Sequence, residues 1–96
     1  MRVRYHPEAD AELQEQRDWY SVRSPLTAFK FAQAIDTAIS RIRDAPLRYP
    51  IAEFETLEFV LPSPFRFTVV YRIGDDEIII VAVAHHSRKP GYWRLR

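Results

Sequence analysis

Cysteine is absent from this 96-residue chain, and glycine occurs only twice. Without cysteine the chain has no disulfide, no zinc–thiolate site and no thiol nucleophile, which fits a reducing compartment. Two glycines are too few for a glycine-rich phosphate loop or a low-complexity segment. The longest apolar run, residues 78–84, is far too short to cross a membrane. Because the first five residues also lack the apolar region of a secretion signal, we expect a soluble cytoplasmic protein.

Acidic residues are missing from the last nineteen positions, 78–96, although the whole chain is nearly balanced at a net charge of +1. The preceding residues carry ten basic and thirteen acidic groups. The tail, which is the segment after the apolar run, adds four cations. Positive charge is therefore concentrated at one end of the chain. This asymmetry predicts a local surface for an anionic or acidic partner rather than a generally basic protein.

Two helices are predicted in the first half of the chain. Pro7 suits the first position of a weakly amphipathic helix that runs to about Val22. Ser24 and Pro25 then provide the N-cap and the first turn of a second helix. A link of one or two residues predicts an antiparallel helix hairpin. The second helix has an apolar seam that steps by four and three residues: Ala28, Ala32, Ile35, Ile39 and Ile42.

Strands are predicted on both sides of this helix hairpin. Val3 and Tyr5 alternate with arginines and indicate a short first strand. After a loop at 46–52, three further segments rich in β-branched and aromatic residues span 54–61, 65–73 and 77–84, and Gly74 opens a hairpin turn between the last two. The order β-α-α-β-β-β predicts one α+β domain over residues 1–96, with the helix hairpin packed on a small, mainly antiparallel sheet.

Side chains along the third strand separate into two sets because successive residues point to opposite faces. Phe65, Phe67, Val69, Tyr71 and Ile73 should face the helices. The other set should form the open face of the sheet: Arg66, Thr68, Val70 and Arg72. This open face fits a solvated surface or a functional one, and the adjacent cationic tail favours the functional interpretation.

Two adjacent histidines, His85 and His86, follow the fourth strand and must point to opposite faces of the sheet. One can join Arg66 and the other can turn towards the helices, depending on the register of the hairpin. Adjacent histidines rarely chelate one ion, and no third ligand has a suitable spacing, so we expect neither a metal nor a cofactor. One histidine is expected to be structural, which leaves the other as a candidate acid or base.

Cations and aromatic rings are interleaved in the tail. Arg88 and Lys89 precede a Pro-Gly turn, and Tyr92 and Trp93 follow it. Such a set can bind phosphates and stack the bases of single-stranded RNA. It can equally anchor a protein interface, and the ring of Trp93 can also fold back on the core.

The element order and three segments, at 65–72, 74–77 and 84–93, resemble the RelE/ParE superfamily. Its members are the toxins of bacterial type II toxin–antitoxin modules, also known as plasmid stabilisation proteins. The resemblance covers essentially the whole chain, and the Arg-Lys-Pro-Gly-Tyr-Trp ending at 88–93 is typical of one ParE-like branch. It implies a small cytoplasmic toxin that arrests growth and is held inactive in a hetero-oligomer by an antitoxin whose C-terminal segment wraps around it.

The resemblance implies one of two activities. RelE-type members cleave mRNA in the ribosome without a metal, and the matching catalytic residues here would be Arg66, His85, His86, Arg88 and Tyr92. ParE-type members inhibit DNA gyrase without a known acid/base constellation. The ribonucleases favour lysines before the second strand, where this chain has three glutamates, at 53, 55 and 58. These carboxylates would repel the scissile phosphate.

We therefore expect a ParE-like toxin that inhibits DNA gyrase, is neutralised by a cognate antitoxin and has no enzymatic activity. The residues expected to contact gyrase or the antitoxin are Arg66, Arg72, Arg88, Lys89, Tyr92 and Trp93. The first alternative is a ribosome-dependent mRNA interferase, a metal-independent endoribonuclease that would bind the ribosome and mRNA. The second alternative is a non-toxic module that only binds a partner.

Aromatic residues exceed what one helix seam needs, and this excess predicts where the antitoxin binds. We expect apolar area to remain exposed along the helix hairpin and at the sheet edge. The residues concerned are Phe29, Phe31, Phe54 and Phe59. Helix-in-groove docking and strand addition are the two natural modes of binding there.

Overall fold

The computed structural model describes residues 1–96 and confirms the predicted order of elements. The strands are β1 (Arg2–Tyr5), β2 (Leu57–Val60), β3 (Phe67–Gly74) and β4 (Glu77–His85). The helices are α1 (Pro7–Arg23) and α2 (Pro25–Asp44). The two helices pack on one four-stranded sheet, as expected for the α+β class.

Short polar side chains determine where the helices begin and turn. The Nδ1 atom of His6 accepts a hydrogen bond of 3.1 Å from the backbone N–H of Glu8 and caps α1. Ser24 ends α1 through its backbone and caps α2 through its side chain, which accepts the N–H of Thr27 at 3.2 Å. Since Ser24 alone links the helices, the chain must double back on itself.

The sheet has the strand order β1-β4-β3-β2, so the central strand β4 lies between the first strand and β3. The pairs β2–β3 and β3–β4 are antiparallel, whereas β1 lies parallel to β4. A parallel pair needs a long connection, which the helix hairpin and β2–β3 provide here. The sheet is therefore mixed and mainly antiparallel.

The core between helices and sheet is built around Phe31, which is fully buried. Its ring lies 5.2 Å from that of Tyr20 and 5.5 Å from those of Phe65 and Phe67, measured between centroids. The buried positions of α2 step by four, three and four residues, at Phe31, Ile35, Ala38 and Ile42. The predicted seam is thus correct in period, but its buried centre lies on a neighbouring row of side chains.

A bulge in β4 places two consecutive side chains on the same face of the sheet. Val70 pairs with Ala82 and Tyr71 with Ile80, so Val81 has no partner in the ladder. Val81 and Ala82 consequently belong to one buried cluster, opposite the helices, although they are adjacent in sequence. A simple alternation of side chains could not predict this second cluster.

Two of the predicted strand boundaries are wrong. The second strand begins at Leu57 rather than at residue 54, because Phe54 and Glu55 have φ angles of 57° and 59° and form a turn. The third strand begins at Phe67 rather than at residue 65. The open face of β3 also differs from the prediction, since Val70 there is fully buried.

Candidate functional site

The C-terminal tail, residues 86–96, folds back over the face of the sheet opposite the helices. The indole of Trp93 is 7% exposed and packs in the cluster that contains Val70, Val81 and Ala84. Its Nε1–H is buried without a hydrogen-bond acceptor. The sequence allows Trp93 either to anchor an interface or to fold back on the core, and in the structure its ring is packed in a core. The tail is therefore a packed part of the domain.

Glu12 of α1 holds the end of this tail. One carboxylate oxygen accepts a hydrogen bond of 2.6 Å from the hydroxyl of Tyr92. The guanidinium of Arg96 donates to both carboxylate oxygens, at 2.8 Å and 3.1 Å. The backbone N–H of Val83 donates a fourth hydrogen bond, of 3.0 Å. A single carboxylate thus joins α1, β4 and the chain terminus.

Glu12 is not among the residues that the sequence predicts for this site. The residue is one of several carboxylates near the start of α1, where negative charge favours the helix dipole. The signal that marks it is its position three residues after Ala9, which is fully buried. A carboxylate one helical turn from a buried residue needs a hydrogen-bonding or oppositely charged partner. The partner of Glu12 is Arg96, which lies 84 positions further along the chain.

Burial and the Glu12 carboxylate control the protonation of the residues around it. Burial and the hydrogen bond to Glu12 raise the pKa of Tyr92, so its phenol stays a neutral donor. For Arg96, burial alone would lower the pKa, but the hydrogen bond and charge of Glu12 outweigh it and raise the pKa. Tyr92 and Arg96 are therefore held in the states that donate to the carboxylate.

The predicted cations of the tail are exposed above this anchor. The guanidinium of Arg88 lies 3.9 Å from the centroid of the Tyr92 ring and 4.0 Å from the Glu12 carboxylate. Lys89 is exposed, as is Arg94, which the sequence analysis does not single out. Arg72 is half-buried and donates a 3.3 Å hydrogen bond to the backbone carbonyl of Arg96. Arg72 thus helps to fix the end of the tail to β3.

The register of the β3–β4 hairpin separates the two histidines. Phe67 pairs with His85, and the two rings meet edge to face at 5.0 Å on the helix side of the sheet. The Nδ1 atom of His85 accepts the backbone N–H of Ser87 at 3.0 Å. His86 lies on the other face, where its Nε2 atom is 3.0 Å from the hydroxyl of Thr68.

The candidate catalytic residues are divided between two neighbouring clefts. His86, Arg88 and Tyr92 line a cleft of about 240 Å³ on the tail side of the sheet. Arg66 is exposed and lines a different cleft, of about 320 Å³, beside Trp19 of α1. His85 borders both clefts. No group of three or more His, Asp or Glu side chains is arranged to hold a metal ion.

An apolar patch remains at the tip of the helix hairpin, where Trp19, Val22, Leu26 and Phe29 are exposed. Of the aromatic residues expected to be in excess, Phe29 and Phe54 are exposed, Phe59 is half-buried and Phe31 is in the core. A separate groove of about 940 Å³ runs between α2 and the loop after β2. Neither helix is long and apolar enough to cross a membrane.

Comparison with known proteins agrees with the fold. The family model described as "ParE toxin of type II toxin-antitoxin system, parDE" matches residues 3–90. A solved structure, "Chromosomal ParDE TA system from P. aeruginosa", is similar to 88% of this chain and 95% of that chain, with a TM-score of 0.74 and 21% identity. A search of curated proteins finds no match. Since the family model spans nearly the whole domain, the chain belongs to the ParE toxin family of type II toxin–antitoxin systems.

Proposed function

We propose that this toxin inhibits DNA gyrase by binding it through the folded tail, and that a cognate antitoxin neutralises it. The observation that carries the proposal is the fixed tail, which presents Arg88, Lys89 and Arg94 from a packed surface. Arginine and aromatic residues are frequent anchors of protein interfaces. A rigid surface also avoids much of the entropy that a flexible peptide loses on binding.

The state of the candidate catalytic groups supports binding over RNA cleavage. The phenol of Tyr92 is already committed to Glu12, and its raised pKa disfavours release of its proton. Arg66 lines the neighbouring cleft rather than the one lined by His86.

The cationic surface favours an acidic partner. Arg88 and Arg94 are exposed, whereas the anion closest to Arg88, Glu12, is largely buried beneath it. Exposed guanidinium groups form their strongest hydrogen bonds with carboxylates. We expect such groups on the gyrase surface that the tail contacts.

Gyrase supercoiling of relaxed plasmid by purified toxin, freed from antitoxin, tests this proposal. We expect inhibition, or trapped cleaved DNA, at a near-stoichiometric amount of toxin. Arg88→Ala and Arg94→Ala should weaken the inhibition. Arg43→Ala, which removes an exposed arginine from the end of α2, is the matched control and should leave it unchanged. A folded toxin that leaves gyrase active but cleaves mRNA on ribosomes would establish the interferase instead.

The antitoxin has a separate surface available on the helix side. The apolar patch at the hairpin tip includes Leu26 and Phe29, both more than half exposed. The 940 Å³ groove lies next to Val60, the last residue of the edge strand β2. Near the start of β2, the N–H of Glu58 already donates a 3.0 Å hydrogen bond to the carbonyl of Pro50, so this N–H is not free to bind an added strand. The patch and the groove fit a helix followed by an extended segment.

Antitoxin binding can be tested with two exposed leucines, Leu26 and Leu47, which are 62% and 81% exposed. Leu26→Ser removes an apolar side chain from the hairpin patch, and we expect it to weaken antitoxin binding about tenfold or more. Leu47→Ser, in the loop after α2, is the control, since this leucine is 81% exposed and lies outside the patch. Equal affinities of the two variants for the antitoxin would exclude the hairpin patch as its docking site.

A further inference from the structure

We propose that Glu12 is the positioning residue of the target-binding surface, which it creates by fixing the tail to an unpaired edge of β4. The inference rests on the proposed function in one respect, that the tail contacts the target. It adds a residue of α1 that does not touch the target itself. Without Glu12, Arg94 would be carried by a detached segment, and Arg88 would lose the Tyr92 ring that its guanidinium contacts.

The edge of β4 explains why a carboxylate is needed at this place. Strand β1 pairs with β4 only as far as Tyr5 and Ile80, and the N–H of His6 makes the last bond, of 2.8 Å, to the carbonyl of Ile80. Beyond that point the chain turns into α1, and the outer edge of β4 has no strand beside it. Backbone groups left there without partners would be costly because Val81 and Val83 are buried.

Glu12 and Arg96 bond the backbone groups of β4 that a neighbouring strand would otherwise bond. The carboxylate accepts the N–H of Val83 at 3.0 Å, and the guanidinium donates to the carbonyl of Val81 at 3.1 Å. The same two side chains bond each other through a two-pronged pair. A donor and an acceptor of the sheet edge are thus satisfied by one ion pair that also contains the end of the tail.

Removing one partner of this pair costs more than removing one partner of an ordinary surface salt bridge, because the charge left behind is shielded from water. The side chains of Glu12 and Arg96 are only 15% and 10% exposed, whereas exposed ion pairs contribute little to stability. Four donors surround the Glu12 carboxylate, counting the hydroxyl of Tyr92. Removing the carboxylate leaves Tyr92, Arg96 and the Val83 N–H without their shared acceptor. We infer that the tail then detaches from Tyr92 onward.

Fluorescence of Trp93 measures this detachment directly. The chain has two tryptophans, so Trp19→Phe leaves the buried Trp93 as the only reporter. In that background we expect Glu12→Ala to shift the emission to longer wavelength and to speed exchange of the Val83 amide about tenfold or more. Glu15→Ala, which removes an exposed carboxylate from the same helix, is the matched control and should change neither.

A second variant keeps the test valid if Glu12→Ala fails to fold. Arg96→Ala breaks the same ion pair from the chain terminus and leaves α1 intact, so it should also expose Trp93. Because both residues act through one interaction, Glu12→Ala combined with Arg96→Ala should detach the tail little more than Glu12→Ala alone. Additive effects of the two substitutions would contradict a shared role.

Growth arrest after induction of the toxin gives the functional result independently of the target. We expect Glu12→Ala to lose growth arrest and Glu15→Ala to retain it. The inference is overturned if Trp93 and Val83 behave as in the wild type, or if the tail detaches while growth arrest remains complete. Growth arrest that depends on Glu12 without gyrase inhibition would support the positioning role and refute gyrase as the target.

Discussion

Gly91 is the position where one added methyl group tests most directly how the tail is packed. Its φ of +79° lies in the left-handed region, which alanine adopts at a cost of about 1–2 kcal/mol. A Cβ atom there would lie 2.6 Å from the Phe54 ring and 3.0 Å from the Glu53 carboxylate. Such overpacking typically costs about 1–3 kcal/mol. We expect Gly91→Ala to lower the free energy of unfolding by roughly 2–5 kcal/mol.

Gly74, the other glycine of the chain, provides the matched control. A Cβ atom at Gly74 would be 3.6 Å from its nearest neighbours, an ordinary contact, and its φ lies outside the left-handed region. Gly74→Ala should therefore change the stability by about 1 kcal/mol or less. Phe54→Ala combined with Glu53→Ala separates the two contributions at Gly91, since in that background both close contacts are absent and the backbone cost of about 1–2 kcal/mol remains.

Urea unfolding followed by fluorescence and by far-ultraviolet circular dichroism measures these differences. For a domain of this size, a loss of 2 kcal/mol lowers Tm by roughly 10 °C. If only the tail detaches, Trp93 fluorescence should change before the circular dichroism does. Equal stability of Gly91→Ala and Gly74→Ala would refute the packing of the tail against Phe54.

Two further predictions concern the core and the tyrosines. Phe31→Ala should lower the free energy of unfolding, measured in urea, by about 3–5 kcal/mol because the Phe31 side chain is fully buried. Phe29 is exposed, so Phe29→Ala should lower it by about 0.5 kcal/mol or less. Equal losses would contradict the assignment of Phe31 to the buried face of α2. Burial raises the pKa of Tyr71 to about 12 and also raises that of Tyr92. Because raised pKa values add stability below the unfolded value of about 10, Tm should fall as the pH rises above 10; ionisation of all tyrosines near pH 10 in the folded chain would contradict this.

Local signals were sufficient for most of the fold. Pro7, Ser24 and Pro25 mark the helix starts correctly, since capping and proline geometry depend on neighbouring residues alone. The Gly74 turn and the β-rich segments likewise predicted the antiparallel hairpin. The predicted start of the second strand is too early. Phenylalanine has a high strand propensity, but Phe54 has a positive φ and lies in a turn.

The candidate site was predictable in its residue types but not in its arrangement. The concentration of cations and rings in the tail drew attention to Arg88, Lys89 and Tyr92, which lie together in the structure. The assignment of His85 and His86 to opposite faces followed from strand geometry. Which histidine faces the helices required the register, because a shift of one residue would exchange them.

The element order, the helix period, the charge asymmetry and the resemblance to a toxin family can all be read from the amino-acid sequence. Each depends on neighbouring residues or on a short repeat. The packing of the tail, the burial of Trp93 and the bonds of Glu12 to Tyr92 and Arg96 follow only from the folded domain. The bonds of Glu12 join residues 80 or more positions apart. They depend on where β1 stops, where β4 bulges and which backbone groups remain unpaired, and no local pattern encodes that combination.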